Sequence, residues 1–120
     1  MIIGKINALM SLVPTAKYHL KGDGTLNWLD ESITEPTSTA IDNEVTRLTN
    51  LEPMRLLRLE RNARLTACDW TQSRDLTLSN DDAWKTYRQA LRDLPSSANP
   101  TLNSYGSLDI TSVTFPSEPS

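Results

Sequence analysis

An apolar pattern at helical spacing that runs on both sides of a proline constrains this fold most. Ile41, Val45, Leu48 and Leu51 recur at four, three and three residues, Pro53 follows, and Leu56, Leu59 and Ala63 resume the pattern on one side. A proline inside a helix removes one backbone donor and presses its ring on the preceding turn. The spacing therefore predicts helix over roughly residues 38–67, either kinked or divided in two, with the kink preferred. The entry is marked by Pro36, by Thr37 or Thr39 as N-cap, and by Asp42 and Glu44 near the positive end of the helix dipole.

Ahead of this region, Ile3, Ile6, Leu9 or Met10, and Val13 predict a short amphipathic helix over residues 2–12 that Pro14 stops. Tyr18, Leu20, Leu26 and Trp28 are then spaced by two on either side of Gly-Asp-Gly, which reads as a β-hairpin. A lone hairpin is marginal in water, so Trp28 needs a packing partner, and the first helix is the expected one. Beyond the long helix, Trp70, Leu76 and Leu78 lie in a polar connection. Ser79 with Asp82 resembles a capping box, and Trp84, Tyr87, Leu91 and Leu94 form one helical stripe that Pro95 closes. In this reading Trp70 and Trp84 anchor a loop–helix module to the long helix. From Ser96 the chain turns polar, with an extended segment expected at residues 108–115.

These elements predict an α+β fold: a short N-terminal helix and hairpin, a long kinked helix, a loop–helix module and an extended C-terminal arm. The expected organisation is a helix-plus-hairpin subdomain over 1–35, a helical module over 36–95, and a linker and arm over 96–120. At 120 residues the length suits about one domain.

Several functions find no support. The net charge of −3 and a pI near 5.0 argue against an overall electrostatic grip on nucleic acid or an anionic membrane. The start of the chain lacks the basic region and cleavage site of a signal peptide, and no apolar run reaches membrane-spanning length. One cysteine, Cys68, and one histidine, His19, exclude an intrachain disulfide and leave no zinc-ligand spacing. Cys68 reads as a small side chain near a helix end, and His19 as a strand residue facing solvent. Paired carboxylates across a cleft and a phosphate-binding loop are both missing, so neither an enzyme nor a cofactor or metal site is expected.

Arg55, Arg58, Arg61 and Arg64 recur every three residues. They read either as a partner-binding stripe or as a solvated face offset by Glu52 and Glu60 three or four residues away. Aromatic and arginine side chains concentrate where interfaces carry their binding energy. The candidate partner-binding residues are accordingly Trp70, Trp84, Tyr87, Arg88, Arg92 and Phe115. Phe115 and the segment around it either fold back on the chain or dock on another by strand addition.

Residues 60–95, ERNARLTACDWTQSRDLTLSNDDAWKTYRQALRDLP, resemble the phage tail assembly chaperone family of tailed bacteriophages. The likeness rests on Asp69, Trp70, Thr71 and Gln72 after an arginine-rich helix end. It continues through Trp84, Tyr87, Arg88, Gln89, Leu91, Arg92, Asp93 and Pro95. Ser112–Pro116, SVTFP, is similar to the Val-Thr-Trp-Pro-like end of such proteins, with Phe115 in place of the tryptophan. The resemblance implies a non-enzymatic tail or tail-fibre assembly protein that binds a tail-fibre or other tail polypeptide in the host cytoplasm, with self-association left open. A minor structural component retained on the tail fibre or baseplate is the alternative.

Overall fold

Glycine at position 4 sets the first boundary. The computed structural model describes residues 2–119, and its first helix, α1, spans Lys5–Leu12 rather than starting at residue 2. Gly4 is extended, and its N–H donates to Asn7 Oδ1 at 2.9 Å, so the Asn7 side chain reaches back to close the helix entry. At the far end Val13 leaves the helical region just before Pro14, as the residue preceding a proline tends to do.

The hairpin forms as expected, with β1 (Tyr18–Leu20) antiparallel to β2 (Leu26–Trp28) and Tyr18 opposite Trp28. Gly24, at φ 91°, takes the left-handed turn position, and the Thr25 N–H donates to Asp23 Oδ1 at 2.9 Å. His19 faces outward, as its place in the alternation requires. Ala8, Leu9 and Ile41 form a core joined by Val13, Tyr18, Leu20, Leu26 and Val45. The ring partner of Trp28 lies within the hairpin, where α1 was the expected one. The Trp28 ring stacks on Tyr18 with centroids 6.0 Å apart, and its Nε1–H donates to the Ile33 carbonyl at 3.0 Å.

The long helix α2 spans Ser38–Ala67 and carries Pro53 without dividing in two. Thr37 is the cap: its Oγ1 accepts from the Ala40 N–H at 3.0 Å. Two compact units divide between Leu51 and Glu52, and the core just described belongs to the first.

In the second unit, α2 buries Leu57 completely and half-buries Met54 and Leu65, whereas Leu59 is 54% exposed and Ala63 is open. The buried register is thus 54, 57, 65 and 68, on the side of the helix away from the Leu56–Leu59–Ala63 stripe that spacing alone singled out. Helix α3, Asp81–Ser97, packs Trp84, Tyr87 and Leu91 with Cys68, Leu65 and Leu78, and packs Leu94 with Leu57 and Val113. The four-residue stripe of α3 is buried as predicted.

Two boundaries of α3 shift. Its N-cap is Asn80, one residue beyond Ser79. Pro95 lies inside the helix, which continues to Ser97. A proline there forgoes one bond to the carbonyl four residues back. The last turn is held by the Ala98 N–H on the Leu94 carbonyl at 3.0 Å and by the Ser96 hydroxyl on the Asp93 carbonyl at 2.7 Å.

The C-terminal arm has little regular structure. Where an extended strand was expected it holds a bridge between Leu102 and Leu108 and a 3-10 turn over Ile110–Ser112, capped by Asp109. Leu108, Val113 and Phe115 fold back onto Leu57, Leu94 and Met54, whereas Tyr105 stays exposed at the tip of a turn.

Candidate partner-binding site

Where α2 ends, its last carbonyls need donors, and the loop–helix module supplies them. A 3-10 turn over Asp69–Gln72 follows at once, with the buried Thr71 hydroxyl donating to the Cys68 carbonyl at 2.7 Å. Arg88, one turn beyond Trp84 on α3, donates from Nη1 to the Leu65 carbonyl at 3.0 Å and contacts Cys68 Sγ at 3.1 Å. The same nitrogen lies 3.1 Å from Asp69 Oδ1, and the Arg88 side chain is only 14% exposed. Burial opposes its charge, but the bonds with Cys68 and Asp69 outweigh that and raise its pKa above the ordinary arginine value.

The six sequence-predicted residues therefore take different places. Trp84 and Tyr87 are core, edge-to-face with each other at 5.8 Å. Burial lifts the Tyr87 hydroxyl above its ordinary pKa. Trp70 is 54% exposed and leans edge-on against Trp84 at 5.7 Å. Arg92 is exposed and holds Gln89 Oε1 at 2.9 Å from Nη2. Phe115 is half-buried beneath the Arg64 guanidinium, 4.0 Å from ring centroid to Cζ. Trp70, Arg88 and Asp69 are brought together on one flank of the module, and Arg92 continues that flank one turn along α3. Phe115 is held apart, on the arm.

The arginines of α2 are largely spoken for. Arg55 pairs with the buried Glu52, whose carboxyl that hydrogen bond holds below its usual pKa. Arg64 pairs with Glu60 at 3.0 Å, and Arg61 donates to the Arg92 carbonyl at 3.3 Å. Arg61 and Arg64 lie along the buried register of α2, where their stems cover apolar neighbours.

Sequence reasoning missed a polar recess of about 390 Å³ beside this flank, lined by Gln72, Ser73, Arg74, Thr77 and Lys85 among others. The turn-forming character of residues 73–79 was its only signal. Among the described residues no group of three His, Cys, Asp or Glu side chains is placed to hold a metal, and no helix is long and apolar enough to cross a membrane.

The Trp70–Arg88–Trp84 arrangement lies wholly within the second unit. No curated protein and no solved structure matches the chain. The family model described as "Phage tail assembly chaperone protein" matches residues 54–120, more than half of the chain and nearly all of that unit. The chain belongs to the phage tail assembly chaperone family, and its role lies in phage tail assembly.

Proposed function

We propose that this chain is a non-enzymatic chaperone that binds a tail-fibre or other tail polypeptide in the host cytoplasm during assembly. Trp70 and Arg92 make the contact in this reading, while Trp84, Tyr87 and Arg88 hold the contacting surface from behind. Phe115 fixes the arm. The observation that supports it most is the exposure of Trp70, 54% open and edge-on against the buried Trp84 in the family-matched unit. A large amphipathic ring held in place loses little entropy when a partner covers it.

The test is co-expression of the chain with the tail proteins of its phage, followed by co-purification of wild type and Trp70→Ala. A tail protein retained by wild type and lost from the variant supports the reading, and equal retention by both overturns the role of Trp70. Mass spectrometry of purified virions adds the fate of the chain. Absence from virions with abundance in the lysate marks a chaperone that departs, whereas a stoichiometric signal in virions replaces it with a structural component of the tail fibre or baseplate.

A further inference from the structure

The flank of α3 that faces away from Arg88 and Arg92 carries a second feature. Between that flank and the end of the arm runs a groove of about 440 Å³, lined by Ala83, Thr86, Tyr87 and Ala90 on the helix side and by Pro116 and Pro119 on the arm side. Ala83 and Ala90 carry no side chain beyond Cβ, so a ligand group can approach the helix closely. The prolines present rings without N–H donors, which leaves that wall apolar. Tyr87 forms part of the floor.

Two carboxylates stand at the rim, and the cation beside Tyr87, Arg64, is paired with Glu60 at 3.0 Å. Asp82 lines the groove and Glu118 lies between the lining residues Ser117 and Pro119. Among the described residues neither takes part in a salt bridge, and the neighbouring Lys85 is paired with Asp81 at 3.0 Å. An apolar slot with an anionic rim is complementary to an apolar side chain flanked by cations. Building on the reading of this chain as a binder of tail polypeptides, we propose that the α3–arm groove takes an apolar side chain of the partner that Lys or Arg residues flank.

Two blocked pentapeptides test this against the full-length 15N-labelled chain: Gly-Lys-Phe-Lys-Gly and Gly-Glu-Phe-Glu-Gly. The lysine peptide is expected to cause saturable shifts at the Ala83, Thr86 and Ala90 amides, with at least fivefold weaker binding of the glutamate peptide. Ala90→Leu, which fills the slot, should remove the shifts. The Asp82→Asn, Glu118→Gln double variant leaves the slot open and should abolish the preference between peptides. No saturable shift at those amides, equal binding of both peptides, or shifts confined to the Trp70 indole overturns the proposal. Concentration-dependent shifts at the same amides without peptide also overturn it, since a second copy would then be the occupant. Loss of tail-protein co-purification together with intact peptide shifts would remove the proposed function and leave the groove standing; the converse would remove only the groove.

Discussion

Arg88 donates to the carbonyl of Leu65, 3.0 Å away, in the last turns of a helix that ends two residues later. One side chain thereby adds a charged donor to a carbonyl that also accepts from the Cys68 N–H at 3.2 Å, contacts Cys68 Sγ and pairs with Asp69. Arg88→Ala should therefore destabilise the second unit by about 2 kcal/mol, the scale of a charged hydrogen bond lost at a mostly buried site. Arg92→Ala at an exposed position should change stability by less than about 0.5 kcal/mol. Urea unfolding followed by tryptophan fluorescence separates the two, and equal effects would refute the distinction.

Leu57 and Leu59 differ by two positions on α2, yet the first is fully buried and the second 54% exposed. Leu57→Ala should cost about 2–5 kcal/mol, the range for a truncated buried leucine. Leu59→Ala should be close to neutral. Chemical denaturation of the paired variants reads the register of the helix directly, and a larger loss at Leu59 would mean that the helix is turned the other way.

The first unit should loosen in acid. Asp30 accepts from the Ser32 hydroxyl, the Lys17 N–H, the Ser32 N–H and the Ile33 N–H, and these bonds lower its pKa from 3.8 to about 2. Glu44 accepts from Arg47 and from the Ser11 hydroxyl, and its pKa falls from 4.5 to about 2. Depressed carboxylates stabilise the fold above their unfolded pKa values, and that contribution disappears as pH falls through the folded ones. Amide protection across β1 and β2 should therefore decline between about pH 4.5 and 2. Asp30→Asn should show less protection at neutral pH and a flatter acid profile, and an unchanged profile would assign the acid response elsewhere.

The arm should contribute to the stability of the second unit. Val113 is buried with Leu57 and Leu94, so Val113→Asp places a carboxylate in an apolar contact and should lower the midpoint of thermal unfolding by several degrees. Thr114, exposed beside it, is the control, and Thr114→Asp should leave the midpoint nearly unchanged. Matching midpoints for the two variants would mean that the arm adds nothing to the unit.

Local signals were legible in the sequence where chemistry acts within a few residues. The limits of α2, the hairpin and the buried stripe of α3 follow from spacing, turn residues and capping, and the cap was narrowed to Thr37 or Thr39, of which Thr37 is the one used. The buried face of α2 did not, because two leucine sets compete along it and arginine stems occupy the side that packs. Pro95 looked like a stop because proline disfavours helix interiors, but near a C-terminus the lost bond is one of few and the serine hydroxyls that follow hold the turn. Of the candidate site, composition found the aromatic and arginine residues. The division between Trp84 in the core, Arg88 on the Leu65 carbonyl and Trp70 in the open depends on packing across the chain.

The edge-on meeting of Trp70 and Trp84 has an optical consequence. Two indoles 5.7 Å apart and inclined by 67° couple their electronic transitions, so the pair should give a paired positive and negative band in the circular dichroism of the second unit. Anything that covers or rotates Trp70 alters that signature and shifts its emission to the blue, while Trp28, stacked on Tyr18 in the first unit, supplies an unchanging background. The family-matched unit thus carries its own unlabelled reporter of encounter, on the same ring that the proposed tail polypeptide would meet.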